Sequence, residues 1–278
     1  MDQIDIHGWK GRTETAEARA DAWPVQGLQA LLDAPPLPDR DALLPELAHW
    51  CYFAPMVPQA RIGDDGHPQR GGFLPPVALP RRMWAGSELT FGRPVPLGAR
   101  LRKTAEIADI SEKQGQTGMM VFVRLRNLYA LADDGTPCIE EMQTLVYRDD
   151  PAADAPRPAA RPAPGDAEWS RPCRPDEAML FRFSAVTFNA HRIHYDHPYA
   201  TGVEGYDGLV VQGQLLATLM LRAMPARPVA AFSFRALQPV FAGEEIRAEG
   251  RLGADGEVET WIADARGGLR MSGKARFA

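Results

Sequence analysis

The sequence predicts an α+β protein in which a buried helix wrapped by a curved antiparallel sheet is made twice. Three observations lead there. A Pro/Ala-rich stretch, residues 149–168, divides the 278 residues into two segments of ordinary domain size. Alternating runs rich in β-branched and aromatic residues recur on both sides of it. A turn-to-strand sequence is partly repeated: "PVPLGARLR" (Pro94–Arg102) and "PVFAGEEIR" (Pro239–Arg247) share Pro, Val, Gly and Arg at the same places. The expected divisions are therefore residues 1–148, a linker at 149–168, and residues 169–278.

In the first segment, "LPELAHWCYF" (Leu44–Phe53) reads as helix and "PPVALPRRMW" (Pro75–Trp84) as a proline-broken counterpart. Strands are expected over Leu101–Ile110, Gly118–Leu131 and Cys138–Arg148, with a turn at Asp133-Asp134-Gly135. In the second segment, "QGQLLATLMLRAM" (Gln212–Met224) is apolar around most of its circumference, which predicts a buried helix. Strands follow over Ile246–Leu252, Glu257–Ala265 and Leu269–Phe277, with a turn at Ala254-Asp255-Gly256.

Composition sets limits on function. A net charge of −5 offers no general basic surface for nucleic acid. No run of eighteen apolar residues predicts a membrane span, and the mixed, acidic N-terminus is unlike a signal peptide. Cys51, Cys138 and Cys173 are far apart and form no C-x-x-C pair, which fits reduced thiols and a cytoplasmic location.

The stretch "FNAHRIHYD" (residues 188–196) concentrates polar heads. His191, His194 and His197 recur every third residue, but no further His or Cys cluster lies near enough in sequence to complete a metal site. No G-x-S-x-G elbow is present, and "RGGF" (Arg70–Phe73) lacks phosphate-loop spacing. A plain polar loop, with Asp196 capping a helix at "HPYA", would explain the same residues. His49 reads as a packed core histidine, His67 in "GDDGHP" as a loop residue, and the methionines as core fillers.

The wider pattern S-x-x-T-F-N-x-H-x-I-H-x-D (Ser184–Asp196), followed by "GLVVQGQLLATLML", resembles the MaoC-like hydratases and dehydratases. "HWCYFAPMVPQARIGDDGHPQRGGFLPPVALPRRMWAGSELTF" looks like the N-terminal dehydratase domain fused to such proteins. Together they cover nearly the whole chain and look most like the two-domain 3-methylfumaryl-CoA (mesaconyl-CoA) hydratase type, with itaconyl-CoA hydratases as near relatives. The resemblance implies a double hot-dog fold whose active site is built mainly by the second half. The degenerate first half would pack as a pseudo-partner.

Residue by residue, Asn189 falls on the aspartate of the family's Asp-x-Asn-x-x-His motif, His191 on its asparagine and His194 on its histidine. Gln212 and Gly213 fall on the His-Gly that opens the central helix. An aspartate can accept a proton and an asparagine amide cannot, so the family's acid–base pair is incomplete here. The resemblance therefore implies His194 as principal base, Asn189 as water-orienting, His191 as a second acid–base group, and Gly213 at the oxyanion-binding helix start. Gln212 is carried over as a substrate contact. A dicarboxylyl substrate needs a cation for its free carboxylate, and Arg192, Arg81 and Arg82 are the candidates. The implied reaction is hydration of a branched C5-dicarboxylyl-CoA. The alternatives are dehydration of longer 3-hydroxyacyl thioesters on CoA or acyl carrier protein, and a non-catalytic acyl-thioester binding module. No metal or cofactor is implied beyond the CoA thioester itself, no nucleic acid or membrane partner is expected, and a homodimer is allowed.

Overall fold

The computed structural model describes residues 5–38, 41–115, 118–149, 159–253 and 255–278. Much of the expected linker, residues 150–158, lies outside these, as does Ala254 of the last expected turn. Strand β1 (Thr13–Arg19) leads into helix α1 (Ala22–Leu31). A long connection then reaches β2 (Arg81–Phe91), β3 (Arg100–Gly115), β4 (Gly118–Leu131) and β5 (Pro137–Arg148). The second half runs β6 (Trp169–Cys173), α2 (Glu177–Thr187), α3 (His197–Gly202), α4 (Gly213–Ala223), β7 (Val229–Ala236), β8 (Ile246–Leu252), β9 (Glu257–Asp264) and β10 (Leu269–Phe277).

Among the described residues ten strands form one sheet, ordered β1-β3-β4-β5-β2-β7-β10-β9-β8-β6. Every pair is antiparallel. Adding five to each strand number of the first half reproduces the second half in mirror order about the β2–β7 seam. The halves thus share one topology, and β2 joins β7 from Gly86↔Arg235 to Thr90↔Ala231. The repeated turn is real at the level of the backbone: Gly98 (φ +83°) and Gly243 (φ +81°) take the same left-handed conformation. β1 and β6 lie at the two outer ends.

α4 packs against β6, β8 and β9 as the central helix of the second half. Leu215, Leu216, Ala217 and Met220 bury into a core with Phe232, Ile246, Val258 and Ile262. The first half is filled differently. Leu44–Phe53 is not a helix: only a 3-10 turn forms, Ala48–Cys51, entered through Leu47 in a left-handed conformation. The prolines of Pro75–Pro80 remove backbone donors and leave that segment irregular until β2 starts at Arg81. The helix of this half is α1, whose Val25, Leu28 and Leu31 join the core while α1 packs beside α2. Among the described residues no helix is long and apolar enough to cross a membrane.

Candidate active site

The site forms where the β1–β2 and β6–β7 connections meet. α2 is capped by Asp176, whose carboxylate accepts the Met179 N–H, and ends at Phe188 in a left-handed conformation. The chain then turns through residues 189–191, where the Asn189 side-chain oxygen accepts the His191 backbone N–H at 3.0 Å. Such an Asx turn is local asparagine chemistry. A 3-10 turn over Arg192–His194 follows, and Asp196 caps α3 by accepting the Tyr199 N–H.

His191 and His194, each 7% exposed, sit edge to face with ring centroids 5.4 Å apart. His194 Nδ1 is 2.6 Å from the Val210 carbonyl oxygen. A carbonyl only accepts, so Nδ1 carries the hydrogen and Nε2 keeps its lone pair. Burial, reinforced by the neighbouring His191, pushes His194 down to about 3, so it stands neutral near pH 7. His191 Nε2 meets Glu204 Oε1 at 3.1 Å.

A third imidazole comes from the first half. The loop at residues 63–67 closes with the Gly63 N–H on the His67 carbonyl, and it docks on the second half. The Arg192 backbone N–H donates to the Asp65 carbonyl at 2.9 Å, and Arg192 Nη1 donates to the Asp64 carbonyl at 3.0 Å. The His67 ring lies 4.1 Å from that of His191, centroid to centroid. Asp65 takes the His67 backbone N–H on one oxygen (2.8 Å) and Nδ1 on the other (3.1 Å). Burial, with the charges of Arg82 and His191, brings His67 to about 3 against the opposing pull of Asp65. Burial alone would raise the Asp65 carboxyl, but the hydrogen bonds from His67 and the charge of Arg82 outweigh it and hold it well below the usual carboxylate range.

These groups line a cavity of about 1760 Å³ that runs across both halves. That exceeds the roughly 300–1,000 Å³ typical of small-ligand pockets and suits a long ligand. Asn189, His191, His194 and Gly213 face it from the second half, and His67 and Arg82 from the first. α4 begins at Gly213, so the N–H groups of its first turn and its positive dipole end open there. A Cβ at Gly213 would meet only Met271, at 3.9 Å, so packing within the protein does not itself demand glycine. In the first half the lining mixes Lys103, Asn127, Glu141 and Gln143 with apolar residues such as Trp84, Leu125 and Leu145. Glu141 accepts from Ser87 at 2.7 Å and Tyr129 at 3.2 Å, with His49 at 3.7 Å. His49 is indeed fully buried, with its ring edge to face with Tyr129.

Three of the expected substrate contacts are placed otherwise. Arg192 points its guanidinium at Asp196 (2.7 and 2.9 Å) and over the Tyr199 ring, away from the cavity lining. Gln212 is fully buried outside that lining, donating to the Leu180 carbonyl and Ser184 Oγ at 3.0 Å each, so it ties α4 to α2. Arg81 reaches the cavity wall, but its guanidinium donates to the Glu204 carbonyl and lies over Tyr206. Arg82 lines the cavity with its charge acting on Asp65 and His67, and its side chain hydrogen-bonds Tyr147. Sequence reasoning missed Asp65, His67 and Glu204. The only local signal was a carboxylate two residues before a histidine in "GDDGHP". Among the described residues no group of three or more His, Cys, Asp or Glu is arranged to hold a metal ion.

Solved structures place this architecture. A MaoC-like dehydratase from Phytophthora capsici matches with a TM-score of 0.67 over 99% of each chain, at 16% identity. A Mycobacterium tuberculosis protein described as having a double hotdog fold matches at 0.59, covering 96% of this chain and 95% of that one, also at 16% identity. The fold is therefore a double hot-dog. Residues 47–242 match the family model for hydroxyacyl-thioester dehydratase type 2, and the chain belongs to that family. Among curated relatives it is 44% identical over 246 residues, 87% of both chains, to the mesaconyl-C(4)-CoA hydratase of Chloroflexus aurantiacus. It is a hydro-lyase of the hydratase/dehydratase type.

Proposed function

We propose that the chain adds water to mesaconyl-C(4)-CoA, or to a closely related branched C5-dicarboxylyl-CoA such as itaconyl-CoA. The 44% identity over most of both chains supports the substrate class. The observation that carries the reading is the cluster of three imidazoles, His67, His191 and His194, beside an arginine that lines the same cavity. In mesaconyl-C(4)-CoA the carbon β to the thioester bears both the methyl group and the free carboxylate. The carboxylate is therefore one bond from the carbon that water attacks, and its cation has to sit beside the histidines. Arg82 meets that demand, since its charge acts directly on Asp65 and His67.

In this reading His194 Nε2 removes a proton from water as the oxygen bonds to the β-carbon. The π pair moves toward the α-carbon and the thioester oxygen, where the α4 N-terminus at Gly213 stabilises the developing charge. The imidazolium then gives its proton to the α-carbon, leaving a tertiary hydroxyacyl-CoA and a regenerated base. A homodimer belongs to the same proposal, supported by the exposed Trp23 of α1 and Phe181 of the adjacent α2.

The test is a screen of the purified protein against mesaconyl-C(4)-CoA, itaconyl-CoA and crotonyl-CoA, following the gain of one water in the acyl-CoA by mass and, for mesaconyl-C(4)-CoA and crotonyl-CoA, loss of the conjugated thioester absorbance. Faster turnover of a dicarboxylyl-CoA is expected. Preference for crotonyl-CoA or longer monocarboxylic chains would transfer the reading to dehydration of 3-hydroxyacyl thioesters.

A further inference from the structure

Asn189 leaves the water-binding machinery short of one acceptor. The oxygen of its amide is already engaged by the His191 N–H at 3.0 Å. The cavity holds a better-placed candidate on the opposite half. His67 presses against His191, and both oxygens of Asp65 are engaged by His67 itself. A carboxylate only accepts, so Nδ1 of His67 carries the hydrogen and Nε2 offers its lone pair. The Asp65–imidazole bond fixes the ring and makes that lone pair a stronger acceptor. The loop is held at this station by the two Arg192 hydrogen bonds and by contact of Gly66 with the Ala190 carbonyl.

We propose that His67, oriented by Asp65, is a catalytic residue that supplies the acceptor Asn189 lacks: its Nε2 holds one O–H of the attacking water while His194 takes the other proton. The inference rests on the hydratase reading above. One O–H bond breaks toward His194 and one O–Cβ bond forms. The π pair becomes the bond from the α-carbon to the proton that His194 returns. The hydrogen held by His67 stays on the new hydroxyl, so the enzyme ends as it began. Asp65 touches no reacting atom and acts as a positioning residue.

The experiment measures kcat and KM on whichever of mesaconyl-C(4)-CoA, itaconyl-CoA and crotonyl-CoA the wild-type protein hydrates, with an unfolding midpoint for each variant. His67→Gln is expected to lower kcat about 10²-fold with KM within a few-fold, because a positioned partner of the water is lost. Asp65→Asn leaves the ring in place and is expected to lower kcat roughly tenfold, and this variant decides the matter if His67→Gln does not fold. The double variant His67→Gln/Asn189→Asp provides the sharpest readout. A carboxylate at 189 restores an acceptor, so kcat should recover about tenfold or more over His67→Gln. A loop that merely braces the fold would lose midpoint together with activity and would gain nothing from Asn189→Asp, and that result overturns the assignment. Wild-type inactivity on all three thioesters sinks the hydratase reading and His67 with it. Wild-type activity matched by His67→Gln sinks the role of His67 alone.

Discussion

At the residue scale, the site divides into what a short motif can announce and what only folding assembles. His191 and His194 lie three residues apart and were legible as chemistry. The arginines were not, because a guanidinium's use depends on its neighbours. Arg192 is nearest the motif in sequence yet is held by Asp196 in an i,i+4 pair, while Arg82, more than a hundred residues away, looks into the cavity. Substrate choice follows from that placement. Arg82→Gln is expected to lower kcat/KM for mesaconyl-C(4)-CoA by roughly ten- to a hundredfold relative to crotonyl-CoA, the worth of a charge-assisted bond of about 1.5–3 kcal/mol. Arg192→Gln is expected to leave the ratio of the two substrates unchanged. Equal losses on both thioesters in Arg82→Gln would remove the arginine from recognition of the carboxylate.

At the element scale, long alternating strands were readable and their ends were nearly right. The expected Leu101–Ile110 and Gly118–Leu131 are the central parts or the whole of β3 and β4, and Gln212–Met224 is α4 with one residue added at each end. α1 was hidden by Pro24 and Gly27 within its ten residues, although proline is tolerated in a first helical turn. β1 and β6 are short and mostly exposed, so neither carries a strong apolar alternation. The loop carrying His67 has no periodicity at all, and its place is fixed by contact. Gly66 sits at φ +87°, and a Cβ there would come within 1.8 Å of the Ala190 carbonyl oxygen. Gly66→Ala therefore forces the loop off the second half. Expected are a loss of about 1–3 kcal/mol in urea unfolding, typical of a strained backbone position, and a fall in kcat as His67 withdraws. An unchanged midpoint with full activity would show that the loop can relax without moving the histidine.

At the scale of the whole molecule, the repeated Gly turn and the strand runs that follow it in each half were the visible traces of a deeper symmetry in which each strand has its counterpart five strands later. The symmetry places the β1–β2 and β6–β7 connections opposite one another, and each supplies part of the site. Two of the site histidines also tie stability to pH. His67 and His194 fall from the ordinary 6.5 to about 3 in the folded chain, so between those values the unfolded chain binds protons that the folded one does not. Unfolding free energy must then drop as pH falls from 6.5 toward 3, by about 1.4 kcal/mol per pH unit for each neutral histidine. Glu141 and Asp65, whose folded carboxyls lie below 4.5 and 3.8, work in the same direction: the stability they add above those values is lost as pH drops through their folded ones. Urea midpoints should fall from pH 7 to pH 4, and the slope should flatten in His194→Gln. Fusing ten strands into one sheet has a further consequence for solubility. Among the described residues the sheet has two borders, β1 and β6, at which a stray polypeptide could extend the ladder. One is β1, studded with Glu14, Glu17 and Arg19, with Glu17 engaged by Arg100 and Arg102. The other is β6, five residues long and interrupted by Pro172, which has no N–H to offer. Charge guards one border and a missing donor the other, so so large a sheet is protected from growing into aggregates.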